Sequence, residues 1–284
     1  MRKLNSKIHR PRKSLGQNFL KSEPALKKII EAGEINPFDI ILEIGPGKGA
    51  LTRKLLATSC QLIAVEKDHN LYELLKDKFK KEVSSGQLEL VHEDILDFDL
   101  KNYKLEAVSY KLIANIPYNI TGAILKKFLT EKNQPTMMVL MVQNEVAKRI
   151  LVRDGKESIL SISVKAYGTP KMEMKVPARY FSPAPKVDSA IISIKNISRN
   201  FFVKNKTRPT EQSFGRVEED KFWKIIRAGF AHKRKKLSSN LKKLKINAEY
   251  GGLTSVEALG NKRAEELSLE DWINLVKAID INKK

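Results

Sequence analysis

Apolar positions along this chain follow two alternating periods. Strand-length runs lie at Asp39 to Ile44 (DIILEI), Gln61 to Glu66 (QLIAVE), Gln87 to His92, Lys111 to Asn115 (KLIAN) and Thr136 to Gln143. Between them the apolar residues return at helical spacing. Ser22 is placed to cap a helix carrying Leu26, Ile29 and Ile30. Further helices are expected over Ala50 to Ala57, after Asp68, and through Asn144 to Arg153. Strands alternating with helices predict an α/β fold on a mostly parallel sheet. Such sheets take ligands at the carboxyl ends of their strands.

The pattern changes after Lys171, where two strand-like stretches flank FSPAP and are expected to close the sheet. Ser198 to Asp220 is polar and basic without a period, and reads as a linker. Helical spacing then returns at Phe222, Ile225, Ile226, Gly229 and Phe230. Thr254 and Glu257 have the spacing of a capping box. Trp272, Leu275, Val276 and Ile279 mark a last helix. The expected organisation is an α/β domain over 1–198, a linker over 199–220 and a small helical domain over 221–284. The first 21 residues are expected to form a basic arm and loop.

Charge changes the picture. The chain carries 53 Lys and Arg against 33 Asp and Glu, a net +20. A solubility surface needs only about 2–8 charges, so a polyanionic partner is expected, nucleic acid before membrane. No apolar run approaches the ~18 residues of a membrane span. Cys60 is the only cysteine, so no internal disulfide is possible, which fits the reducing cytoplasm. The four histidines are scattered without cysteine partners, so no metal is expected.

Every polar motif falls at a predicted strand end. Gly45, Gly47 and Gly49 join the first strand to its helix with G-x-G-x-G spacing, neither the dinucleotide fingerprint nor a P-loop. Glu66 ends the second strand, where a carboxylate can accept both hydrogen bonds of a ribose diol. Asp94, after the third, can accept from an adenine amine. Two acceptors and a glycine turn suit an adenosine without phosphates. After the fourth strand comes Asn115-Ile116-Pro117-Tyr118. The Asn115 side-chain oxygen and the Ile116 carbonyl can accept from an exocyclic amine, localising its lone pair. Pro117 fixes the local backbone, and Tyr118 offers a face for a base to stack on. Phe181 of FSPAP is expected on the opposite face of that base. A base inside a helix cannot reach such a pocket, so the target is unpaired or flipped out.

Taken together, RKSLGQNFL, LEIGPGKGALT, AVEKD, EDIL, NIPYNIT, MVQNEVAKR, FSPAPKVDSA and FAHKRKKLSSNL resemble the small-subunit (16S) ribosomal RNA adenine dimethyltransferase family, known as KsgA. The resemblance spans nearly the whole chain. It implies a Rossmann-like class I methyltransferase using S-adenosylmethionine, with a small all-helical C-terminal domain. It implies that Asn18 and Leu20 contact the cofactor together with Gly45, Glu66, Asp94 and Asn115. It also implies methylation of two adjacent adenosines in the terminal hairpin of small-subunit RNA, with a role in ribosome biogenesis. Two departures stand out: Asp154 to Ser161 reads DGKESILS where the family usually has a Tyr-Gly stretch, and Ile116 replaces a more usual leucine.

The RNA-binding residues are expected at both chain ends: Arg12 and Lys13 in the arm, and Lys233, Arg234, Lys235 and Lys236 on a helix. A monomer is expected. Two alternatives share the fold: a large-subunit (23S) RNA methyltransferase of the macrolide-resistance type, and a non-catalytic assembly or transcription factor. GPGKG, MVQNEV, KVDSA and HKRKKL favour the small-subunit group. Intact Glu66, Asp94, Asn115 and Tyr118 favour an enzyme.

Overall fold

The structure, a computed structural model, describes residues 11–12, 15–103, 105, 108–203, 217–242, 244 and 259–279. A two-residue strand, β1 (Phe19–Leu20), leads into α1 (Glu23–Gly33). Ser22 caps that helix as its sequence requires, its Oγ accepting from the Ala25 N–H at 3.4 Å. Then come β2 (Ile40–Ile44), α2 (Ala50–Leu56), β3 (Gln61–Glu66), α3 (His69–Lys78), α4 (Lys80–Ser84), β4 (Leu88–His92) and β5 (Tyr110–Asn115). They are followed by α5 (Thr121–Thr130), β6 (Met137–Gln143), α6 (Asn144–Ile150), α7 (Ile159–Lys165), β7 (Thr169–Val176), β8 (Phe181–Ser182) and β9 (Ser189–Lys195).

Seven strands form one sheet in the order β4-β3-β2-β5-β6-β9-β7. The five strands from β4 to β6 pair in parallel, and β9 is antiparallel to β6. From β2 the chain winds outward through β3 to β4, then crosses to β5 on the other side. The β2–β5 junction is therefore the switch point, where diverging connections leave a crevice. Strands covered on both faces are apolar throughout rather than alternating. Met138 to Val142 of β6 are all at 0% exposure. Ile41, Leu42, Leu112 and Ile113 are equally closed, each contributing roughly 1.5–3 kcal/mol. The tips of β2 and β5 thus stand on a rigid base.

The chain divides into two compact units, one of 1–147 with 170–197, the other of 148–169 with 198–284. The expected 1–198 domain therefore loses 148–169 to the second unit. Residues from that stretch are held by C-terminal partners: Tyr167 packs on Phe202 and Trp223 and donates to Glu219, and the Glu157 N–H donates to Glu265.

The expected linker is also revised, whereas the described residues of 221–284 hold only helices, as expected. Strand β10 (Phe202–Val203) pairs in parallel with β11 (Val217–Glu218), and α8 (Glu219–Gly229) starts directly after it. Helix α9 (Leu237–Leu241) and α10 (Leu269–Ala278) complete the described part of this unit. Phe222, Ile225 and Ile226 of α8 and Trp272, Leu275 and Val276 of α10 are buried, as their spacing predicts. The capping box at Thr254 and Glu257 lies outside the described residues.

Two helix expectations fail for local reasons. The helix from Asn144 ends at Ile150 rather than Arg153, with Val152 at φ 55. Lys233 to Lys236 lie on the turn between α8 and α9, not on a helix. Asn240 explains this second break. Its Nδ2 donates to Gly229 O at 2.6 Å and to His232 O at 3.1 Å. Those carbonyls are satisfied by a side chain instead of a further helical turn.

Candidate active site

The glycine turn begins where β2 ends. Gly45 has φ 63, a left-handed conformation that favours glycine, and its N–H donates to Val65 O at 2.9 Å. A Cβ placed on Gly45 would meet nothing within 4 Å. The turn therefore leaves open space at the end of the strand. At Gly47 the situation differs: a Cβ would come within 3.0 Å of the Phe19 ring. The N-terminal segment thus lies directly against the turn. Lys48 Nζ adds a cation–π contact, 4.9 Å from the centre of that ring.

Glu66 is 6% exposed. Its Oε2 accepts from the Gly47 N–H at 3.0 Å and its Oε1 from the Asp68 N–H at 2.8 Å. Burial raises its pKa, opposed by those same N–H groups. The two bonds fix the carboxyl plane, and each oxygen retains a further acceptor site. Asp94 Oδ1 accepts from the Leu96 N–H at 3.0 Å, and Oδ2 is paired with Lys67. Burial pushes this carboxyl up, but Lys67 and the Leu96 N–H outweigh it and hold the group below its ordinary value.

At the tip of β5, Asn115 Nδ2 donates to Asn18 O at 3.3 Å. The amide's donor end is anchored, which leaves Oδ1 as the acceptor it can offer. Pro117 sits at φ −60 and opens the short 3₁₀ turn Tyr118–Ile120. Tyr118 OH bonds Ser189 Oγ at 2.6 Å, and Ser189 is fully buried at the start of β9. The ring is thereby pinned across the sheet.

Asn18, Leu20, Gly45, Gly47, Glu66, Asp94, Asn115, Ile116, Pro117 and Tyr118 all line a single cleft of about 370 Å³. The tips of four strands converge as their motifs require. Phe181 does not join them. It is 2% exposed in β8, paired with Leu20 of β1, inside the apolar core. Its neighbour Ser182 lines the cleft instead. The expected stacking role for Phe181 is thus corrected: hydrophobic burial claims its ring.

Of the expected RNA-binding residues, Arg12 lies 3.5 Å from Asp68 with its side chain 52% exposed. Lys233 to Lys236 are exposed in the second unit. Lys13 lies outside the described residues.

Sequence reasoning missed Glu43, Asp68 and Ser189. Glu43 lines the cleft at 1% exposure, and its Oε2 accepts no hydrogen bond from any described residue. Burial pushes this carboxyl up to about 8, with Thr52 opposing the shift and Glu66 adding to it. An acid inside an otherwise apolar strand was the available signal. Three carboxyl groups, Glu43, Glu66 and Asp94, thus line one cleft. Glu66 and Asp94, as hydrogen-bond acceptors at the strand tips, suit a ligand bearing hydroxyls and amines.

A parallel sheet with a reversed late strand, and a glycine turn backed by acids on successive strand tips, defines a class I methyltransferase. Comparison with known proteins narrows this. Residues 8–280 match the ribosomal RNA adenine dimethylase family, and the chain belongs to it. It is 40% identical over 267 residues to ribosomal RNA small subunit methyltransferase A of Dehalococcoides mccartyi (strain CBDB1), covering 93% of this chain and 87% of the relative. The same-named protein of Fusobacterium nucleatum subsp. nucleatum is 38% identical, covering 95% and 97%. A crystal structure of a dimethyladenosine transferase from Plasmodium falciparum has a TM-score of 0.70 at 28% identity, covering 90% of this chain and 95% of that one. The 23S rRNA methyltransferase ErmE has a TM-score of 0.68 at 23% identity over 92% and 99%, a likeness of fold.

Proposed function

We propose that this protein transfers methyl groups from S-adenosylmethionine to N6 of two adjacent adenosines in the 3′-terminal hairpin of 16S ribosomal RNA, acting as a monomer in the cytoplasm during small-subunit biogenesis. One observation carries the reading: the adenosine-type acceptors Glu66 and Asp94 share a cleft with Asn115 to Tyr118. Glu66 would hold the cofactor's ribose, Asp94 its adenine, and Gly45, Gly47, Asn18 and Leu20 its flanks. When bound, the cofactor supplies an electrophilic methyl on a sulfonium.

The protein's own part is orientation. An adenine amine is a weak nucleophile because its lone pair is delocalised into the ring. Asn115 Oδ1 and the Ile116 carbonyl accept its two N–H groups and direct that lone pair into the cleft. Pro117 fixes the carbonyl's direction, and Tyr118 supports the base by stacking, worth ~1–3 kcal/mol. Correct placement of two reactants can supply ~7–11 kcal/mol of a barrier. Held by Glu66, Asp94 and the glycine turn, the cofactor would supply the methyl that the oriented amine nitrogen takes up as the sulfonium leaves as a neutral thioether, and water would accept the amine proton released. No strong base is needed.

Arg12, Lys13 and the exposed run Lys233 to Lys236 would neutralise phosphates of folded RNA, giving affinity that falls with salt. The names of the curated relatives support the small-subunit target over the large-subunit alternative. Transfer of tritiated methyl to unmethylated small subunits, large subunits and duplex DNA, with nuclease mapping of dimethyladenosine, tests the reading. Label confined to large subunits or DNA would refute it.

A further inference from the structure

Asp68 follows β3 by two residues, and its side chain is fully buried. Its two carboxylate oxygens have separate roles. Oδ1 caps α3, accepting from the N–H of Asn70 at 2.9 Å and of Leu71 at 3.4 Å. Oδ2 accepts from Gln17 Nε2 at 2.9 Å and lies 3.5 Å from Arg12 Nε. The Gln17 side-chain oxygen in turn accepts from the Arg12 N–H at 2.7 Å. The main-chain N–H of Asp68 donates to Glu66 Oε1. Capping a helix needs one carboxylate oxygen. The second is buried and faces donors from a segment about 50 positions earlier in the chain, which capping does not require.

That segment closes over the cleft. Phe19 lies against Gly47, Asn18 O holds the Asn115 amide, and Leu20 pairs with Phe181. We propose that Asp68 is a positioning residue that latches this N-terminal segment over the cofactor cleft, through Gln17 and Arg12, while holding Glu66 from the other side. The proposal rests on reading the cleft as the S-adenosylmethionine pocket. The latch sets the register between the segment that touches Asn115 and the strand that carries Glu66. Without it the segment is held by the Asn18–Asn115 hydrogen bond, the Phe19 contact at Gly47 and the short β1–β8 pairing.

Asp68→Asn separates the two roles. It keeps an oxygen for the α3 cap and places an NH₂ where Oδ2 stands, opposing the Gln17 and Arg12 donors. The expected result is a roughly tenfold weaker S-adenosylmethionine dissociation constant by calorimetry, the scale of one charge-assisted hydrogen bond. Amides of Leu15 to Leu20 should lose hydrogen-exchange protection in the protein alone, while Asn70 and Leu71 keep theirs. Gln17→Ala should give the same two changes, and the double variant should bind no more weakly than the weaker single. Additive losses, or unchanged exchange over Leu15 to Leu20, would overturn the latch. Failure of the unaltered protein to bind S-adenosylmethionine would overturn the cofactor reading instead, with the exchange measurement still deciding the latch.

Discussion

The side-chain amide of Asn115 donates to the main-chain carbonyl of Asn18 at 3.3 Å. A donor anchored on a fixed carbonyl leaves the amide one orientation, with its oxygen available to an exocyclic amine. Asn115→Asp keeps the size but sets a carboxylate oxygen against Asn18 O, so both the anchor and the aim are lost. Turnover should fall at least about 100-fold for Asn115→Asp and Asn115→Ala, the scale seen when one preorganised polar group is removed from a reacting centre. Methyl-transfer assays with circular dichroism as a fold control check this. Near-normal turnover would remove Asn115 from the chemistry.

Tyr118 invites a finer dissection. Its hydroxyl is held by Ser189, while its ring is the surface we propose for stacking the base. Tyr118→Phe should lower kcat/KM only a few-fold. Tyr118→Ala should cost about 10- to 100-fold, because it removes the stacking surface as well. Equal losses in the two variants would assign the effect to the hydroxyl.

Two glycines of the turn should fail in different ways. Gly45→Ala would place its methyl in open space at the cleft, so cofactor affinity should drop with a stability loss of about 1–2 kcal/mol from the left-handed backbone. Gly49→Ala would bring its Cβ to 2.5 Å from the Phe79 ring and 2.9 Å from Leu75. Strain and overpacking together should cost roughly 2–4 kcal/mol of folding stability. Chemical denaturation and calorimetry on the same pair of variants separate the outcomes.

Glu43 makes stability depend on pH. In the folded protein burial holds its pKa at about 8, well above that of an ordinary glutamate. Between those values the unfolded chain has released the proton and the folded protein keeps it. Unfolding then releases a proton, so stability falls as pH rises through this window and levels off above about 8. The slope is at most about 1.4 kcal/mol per pH unit. Glu43→Gln should flatten the profile. Glu66, also raised by burial, acts in the same direction and remains in the variant, so some slope persists. An unaltered profile for Glu43→Gln would mean that Glu43 is not the titrating group.

The exposed run Lys233 to Lys236 gives the second unit its own test. Replacing all four with alanine should weaken RNA binding and lower the slope of log affinity against log salt by up to about 3. Methyl transfer at saturating RNA should change far less than binding. An unchanged salt slope would clear this turn of phosphate contact.

Much of this was legible in the chain itself, because the signals are local. Apolar runs placed β2 to β6 to within a residue, and Ser22, the glycine turn and Asn115 to Tyr118 announced their positions through short-range chemistry. The strand order was not legible in this way, because alternating periods predict a parallel sheet but not which strands pair. Only the tertiary structure decided what crosses the chain. Asn115 meets Asn18, Tyr118 meets Ser189 and Asp68 meets Gln17 over separations of 97, 71 and 51 residues. It also buried Phe181, moved 148–169 into the second unit and put Lys233 to Lys236 on a turn. Periodicity reports which face of an element is apolar. It does not report which distant element will cover that face, because this depends on how the whole sheet is wound.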